Sequence, residues 1–267
     1  MLTIDTQIHL YHLLAWAIGA GTLALSAWMG LRVRRETKTT GDYLLAGRRL
    51  GKARLGAHAL ATRSEMPSLV SSMGVFVVWS FVVPVLLVPL IYLLAPLFRR
   101  ARCYTTADFF RSRFSLGLSL TYTAIAVLIL CAASSTMIVS MIGFNLTWGG
   151  MSPEYPTVFV SAVAGVVIAY TTLGGLPSVV SAQMIQSAVA LILTVVILGQ
   201  SLSLPPTTVF HGLKGFLFKP DWLISILIVS ALGLIAHPCA MTVMSTGRSE
   251  TDCQTGASLG FLLRCFT

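Results

Sequence analysis

The chain has 267 residues, of which 55% are hydrophobic and only 10% charged, and its mean hydropathy is +0.83. A water-soluble domain carries about a quarter charged residues because its surface faces water, so soluble enzymes and soluble binding modules are excluded. The formal net charge of +9 does not indicate a nucleic-acid partner, because the charge is placed by topology. Of the 18 Lys and Arg, eight lie between Arg32 and Arg54 and five between Arg99 and Arg113, each group directly after an apolar run. Cytoplasmic loops are marked in this way, and such loops also meet anionic lipid.

In lipid every backbone polar group must be satisfied internally, which leaves helices or closed barrels. No segment alternates as a barrel strand does, and several apolar runs reach the roughly 20 residues that span a bilayer as helix. The expected fold is therefore all-α, a multi-pass transmembrane helical bundle. The first run, Tyr11–Leu31, lacks a basic leader and is followed by Arg32, Arg34 and Arg35. That is a stop-transfer pattern, unlike a cleaved signal. His9 and His12 share a helical face near its outer end, and without a third ligand they read as interfacial.

The segment Gly56–Gly74 is only moderately apolar and contains Arg63, Glu65 and Pro67. Two cytoplasmic basic clusters require an even number of crossings between them. Val75–Phe98 supplies one, so Gly56–Gly74 is assigned the other. The rival arrangement makes Val75–Phe98 re-entrant through Pro84, Pro89 and Pro96. Arg63 and Glu65 are then either intramembrane charges or solvated groups at the cytoplasmic end of the span.

Beyond the basic loop 99–115 comes Leu116–Thr147. Its central Cys131-Ala-Ala-Ser-Ser-Thr136 is expected to let helices pack closely, and Asn145-Leu-Thr147 forms a glycosylation acceptor on the outer side. The spans Thr157–Leu173 and Val179–Leu202 follow, joined by an inside turn at Gly174-Gly175. Gln183 and Gln186 lie three apart on one face, which must look inward because lipid satisfies no amide. Residues 203–220 are outside, Trp222–Met244 crosses again, and 245–255 are inside. The sequence ends at Thr267, within another apolar stretch, and reads as a truncated or partial sequence. The five cysteines form no CxxC pair and are expected as free thiols.

Transporter sites form near the midplane where paired helices are interrupted. Gly56–Gly74, broken at Pro67, and Trp222–Met244, broken at Gly233 and His237-Pro238, are the candidates, unless both prolines simply kink packed helices.

Four motifs, in order and in matching topological places, resemble the sodium/solute symporter family. They are Asp42-Tyr-Leu-Leu-Ala-Gly-Arg-Arg-Leu-Gly51, Tyr104-Thr-Thr-Ala-Asp-Phe-Phe-Arg-Ser-Arg-Phe114, Tyr170-Thr-Thr-Leu-Gly-Gly175 with Val179, Val180 and Gln186, and His237-Pro238 with Arg248-Ser-Glu250. The resemblance implies two inverted five-helix repeats after an extra N-terminal helix. On this map residues 11–31 are the extra helix, 56–202 the first repeat, and 222–267 the start of the second. It implies backbone carbonyls of Ala61 and Ser64, with Gln183 nearby, on the path of a sodium ion. Gln183 stands where the family carries an acid. Thr62, Glu65, Ser68, Gln186 and His237 are the expected solute contacts.

The function implied is secondary active transport, with sodium, or else a proton, moving inward with a small polar organic solute. No other cofactor, metal or nucleic acid is expected, and the expected location is the plasma membrane, as a bacterial inner-membrane protein. The rivals are the solute-sensing membrane module of a sensor kinase and an inactive transporter remnant. An enzyme is not expected, because the sequence offers no paired carboxylates, metal cluster or activated nucleophile. Nothing in these residues names the solute or the oligomeric state.

Overall fold

A computed structural model describes residues 4–62, 83–147, 155–201 and 220–264. Ten helices account for the regular structure among them: α1 (Ile4–Val33), α2 (Thr40–Leu45), α3 (Lys52–Thr62), α4 (Val83–Ala101), α5 (Thr106–Arg113), α6 (Leu116–Thr147), α7 (Tyr155–Ser201), α8 (Pro220–Ala236), α9 (Ala240–Ser245) and α10 (Glu250–Leu263). Short 3-10 turns occupy Arg34–Glu36 and Ala46–Arg48. The one extended pairing among the described residues is a parallel bridge between Leu50 and Gly247.

The long helices follow the apolar runs, and among the described residues two are long and apolar enough to cross a bilayer, Leu116–Gly143 in α6 and Thr157–Val196 in α7. Their outward side chains are those of a protein in an apolar solvent. Leu128 is 70% exposed and Val139 68%, with Leu120, Ile125, Val127 and Ile138 exposed beside them. An apolar band of this length on a water-facing surface would aggregate.

Residues 32–55 and 99–115, expected as loops, contain the short helices α2 and α5. Each is started by a capping box, in which a Thr side chain accepts from the backbone N–H at N3 and an Asp reaches back to the cap: Thr39 with Asp42, and Thr105 with Asp108. At the start of α10 the Ser249 side chain likewise accepts from Asp252 N–H. These caps satisfy donors that a helix start otherwise leaves open.

Two interruptions shape the long helices. In α7, Gly175 sits at φ 63°, ψ −155°, which divides the helix into arms 155–174 and 176–201. Between α8 and α9 the helix stops at Ala236, turns through His237-Pro238-Cys239, and restarts at Ala240. Pro89 and Pro96, by contrast, lie inside a continuous α4.

The buried core joins Leu55 and Ala59 of α3, Leu87, Ile91 and Ala95 of α4, Leu234 of α8, and Val243 and Met244 of α9 to Ala257 and Phe261 of α10. Against α3, α10 presents Gly256 and Gly260, a small-xxx-small pair that lets backbones approach. An added Cβ at Gly260 would stand 2.4 Å from the Gly56 carbonyl oxygen. The patch Cys131–Thr136, expected to pack, is exposed except for a half-buried Ala133. Ser135 and Thr136 donate to the carbonyls of Cys131 and Ala132 one turn back. With the hydroxyls of Ser135 and Thr136 satisfied within the helix, these two side chains can face lipid without a partner helix. The described cysteines Cys103, Cys131, Cys239 and Cys253 are free thiols, as expected; Cys265 and the side chains of His9 and His12 lie outside the described residues.

Candidate functional site

Of the residues expected at the site, Ser64, Glu65 and Ser68 lie outside the described residues, as do Arg63 and Pro67. Ala61, Thr62, Gln183, Gln186 and His237 are described, and they fall into two loci.

The first locus is where the end of α3 meets the second arm of α7. Gln183 Oε1 lies 2.6 Å from His58 Nδ1, and Thr62 Oγ1 lies 3.2 Å from the same nitrogen. Thr62 Oγ1 donates to the His58 carbonyl at 2.7 Å, so it receives from the ring. With both oxygens as acceptors, Nδ1 carries the proton and His58 is the Nδ1–H tautomer. His58 is 3% exposed, and its Nε2 is buried without a hydrogen-bond partner among the described residues. One turn further along α7, Ser187 Oγ donates to the Ala57 carbonyl at 3.2 Å. Gln186 meets the buried Tyr170 hydroxyl across the Gly175 corner. The structure thus joins Thr62 to Gln183 through His58, a residue the sequence reading passed over. A histidine within a weakly apolar helix carries no sequence signal until its partner is known.

The second locus is the α8–α9 break. Pro238 has no N–H to continue the helix, and the freed groups are satisfied locally. Cys239 N–H donates to His237 Nδ1 at 3.2 Å, Ala240 N–H to the His237 carbonyl at 2.9 Å, and Tyr122 OH of α6 to the Ala236 carbonyl at 2.8 Å. His237 therefore supports the break through Nδ1, in addition to any contact with solute.

The basic loops and the α7 corner converge at one end of the molecule. Thr37 Oγ1 donates to the Gly174 carbonyl at 3.1 Å and Tyr43 OH to the Thr172 carbonyl at 3.0 Å. Arg48 donates to the Cys103 carbonyl at 3.3 Å. Leu50 N–H donates to Thr246 and Arg248 N–H to Leu50, at 3.2 and 3.0 Å. Arg100 holds Glu250 through two parallel bonds of 2.9 and 2.8 Å, Arg99 reaches the Arg248 carbonyl at 3.1 Å, and Arg248 pairs with Asp252 at 2.8 Å. The Glu250 carboxyl is held below its ordinary range, chiefly by its hydrogen bonds from Arg100. Arg248 does the same for Asp252, and the Thr39 hydroxyl for Asp42. Three of the four motifs read from the sequence contribute residues to this end or to the break beside it, and Cys103 directly precedes the remaining one.

Among the described residues no group of three His, Cys, Asp or Glu is placed to hold a metal ion. An apolar helical exterior, with two helices among the described residues long and apolar enough to cross a bilayer, marks a helical membrane protein. The profile of the sodium:solute symporter family matches residues 43–205, more than half of the chain, and the protein belongs to that family. Neither the curated proteins nor the solved structures gave a match.

Proposed function

We propose that this protein is a multi-pass, sodium-coupled symporter of a small polar organic solute that works by alternating access. Residues 11–31 form the extra helix, 56–202 the first five-helix repeat, and 222–267 the opening of the second. The observation that carries this reading is the α8–α9 break, an interruption at His237–Cys239 inside an apolar run. Unwound backbone in a membrane protein persists where protein or a water-filled path surrounds it. The break shares its core with α3, whose last described turn carries Ala61 and Thr62. In this reading the Ala61 and Ser64 carbonyls with Gln183 line the ion path. Thr62, Glu65, Ser68, Gln186 and His237 face the solute. Gln183 offers the ion a dipole where an acid would offer a charge, and it shares its oxygen with His58.

Thermal unfolding in sodium chloride against choline chloride at equal ionic strength tests the ion. Uptake of a radiolabelled hexose, amino acid or short carboxylate across an imposed sodium gradient tests the transport. A sodium-specific rise in melting temperature, reduced by Gln183→Leu, together with gradient-dependent uptake of one of these classes, is expected. Identical behaviour in both salts, with no uptake above protein-free vesicles, would overturn the reading.

A further inference from the structure

Beside the Leu50–Gly247 bridge lies a cavity of about 340 Å³ lined by Arg49, Gly51, Lys52, Ala53, Arg54 and Arg248. Four of these six residues are cations and none is an acid. A smaller recess of about 80 Å³ shares Arg49 and Arg54 and adds Asp42 with the apolar walls of Val33, Leu50, Pro177 and Val180. Two acids temper the charge, because Asp252 pairs with Arg248 and feels Lys52, and Asp42 feels Arg49. Among the described residues no acid pairs with Arg54. Four cations against two acids leave the cavity positive.

The surroundings add to that excess. Arg48, next to Arg49, has its proton affinity lowered, by burial first and then by Arg99 and Arg102. The end of α1 beside the smaller recess also carries a residue pairing typical of a membrane interface. On α1, Trp28 is 54% exposed with the Arg32 guanidinium 5.3 Å from its ring centroid, an interfacial pairing. Val33, a wall of the smaller recess, lies one residue beyond Arg32. Basic pockets at such an interface, with an apolar wall beside them, suit lipid headgroups.

We propose that this cavity is a binding site for the phosphate of an anionic phospholipid headgroup. Arg49, Lys52 and Arg54 reach the phosphate from one side of the Leu50–Gly247 bridge and Arg248 from the other. The apolar walls of the adjoining recess receive the start of the acyl chains. A volume of this order accommodates a small ligand. Because the cations come from segments some two hundred residues apart, a headgroup bound among them ties residues 49–54 to the start of α10 and stabilises the fold. Lipid binding requires no transport, so its test stands apart from that of the proposed function.

The purified protein in neutral detergent is titrated with phosphatidylglycerol and with phosphatidylcholine, followed by native mass spectrometry and thermal unfolding. Phosphatidylglycerol is expected to remain bound and to raise the melting temperature, and phosphatidylcholine to do neither. Lys52 and Arg54 are exposed, so Lys52→Gln/Arg54→Gln should fold. It should bind phosphatidylglycerol on the order of thirtyfold more weakly, and Arg54→Gln alone roughly fivefold, while Arg111→Gln/Arg113→Gln on α5 keeps the wild-type affinity. Equal responses to the two lipids, or unchanged phosphatidylglycerol affinity in the Lys52/Arg54 variants, would overturn the site. If millimolar inorganic phosphate alone reproduces the thermal shift, the ligand is a free anion and the lipid assignment fails.

Discussion

At Gly175 the backbone occupies φ 63°, ψ −155°, a region open in practice to glycine alone. A Cβ there would lie 2.6 Å from both the carbonyl oxygen and the ring of Tyr43. Gly175→Ala is therefore expected to destabilise the protein by about 3 kcal/mol or more, strain and clash acting together. Gly165, in the first arm of the same helix, has nothing within 4 Å of the place a Cβ would occupy, and Gly165→Ala should be neutral or stabilising by up to about 1 kcal/mol. Thermal unfolding of the two variants side by side distinguishes a special backbone position from an ordinary helical glycine.

The His58–Gln183 contact calls for a different test, because its two partners satisfy one another. Gln183→Leu takes the principal acceptor from a buried N–H, at a cost of about 1–3 kcal/mol. His58→Leu leaves the Gln183 amide in the same position. The double variant should be more stable than the sum of the single losses predicts, and strict additivity in a double-mutant cycle would mean that the 2.6 Å contact contributes nothing. The inward direction of Gln183 was legible in the sequence, since an amide cannot face lipid. Its partner was not, because 125 residues separate the two.

Among the elements, α10 is held by shape on one side and by charge at its start. Gly256 meets Leu55 and the Lys52 carbonyl, and Gly260 meets Gly56 and Ala59. Gly260→Leu should separate α10 from α3 and lower stability by several kcal/mol, as overpacking of a tight contact does. Leu259→Ala, at an exposed position, should change it little. The charged start of α10 titrates. Glu250 and Asp252 have pKa values lowered from 4.5 and 3.8 by their arginine partners. A lowered carboxylate pKa contributes stability that is complete above the ordinary value and is lost as pH falls through the lowered one. Stability should therefore hold from pH 7 to about 5 and decline below about 4. Arg100→Gln should weaken that acid dependence, by a small amount because the pair is solvent-exposed. An acid limb unchanged in Arg100→Gln would show that the pair is not coupled to folding. The short helices α2 and α5 were readable locally, since Thr39-x-x-Asp42 and Thr105-x-x-Asp108 are helix-start signatures. Reading residues 32–55 and 99–115 by charge alone hid them.

For the whole molecule, residues 37–50, 99–103, 172–178 and 246–252 converge at one end, so the basic loops share one face. In a background without native cysteines, probes at Gly41 and Ser112 should be shielded from an impermeant thiol reagent applied outside. A probe at Thr208, which lies outside the described residues, should react. Labelling of the Ser112 probe from outside would place α5 on the other face and reduce by one the crossings between the basic loops.

What the sequence determined by itself was whatever depends on neighbours along the chain. The apolar runs required helices, because each backbone group in lipid must bond within its own segment. The basic clusters marked one face, Gly174-Gly175 marked a corner, and His237-Pro238 marked a break, since proline cannot continue the ladder. Four motifs in order were sufficient for the family. The tertiary structure alone decided which of these pieces meet: Gln183 with His58, Gly260 with Gly56, Arg100 with Glu250, and the cations of residues 49–54 with Arg248. Each of those pairings depends on shape and charge brought together from segments more than a hundred residues apart. Hydropathy and local motifs describe a residue's own surroundings along the chain, and they do not encode the distances between such segments.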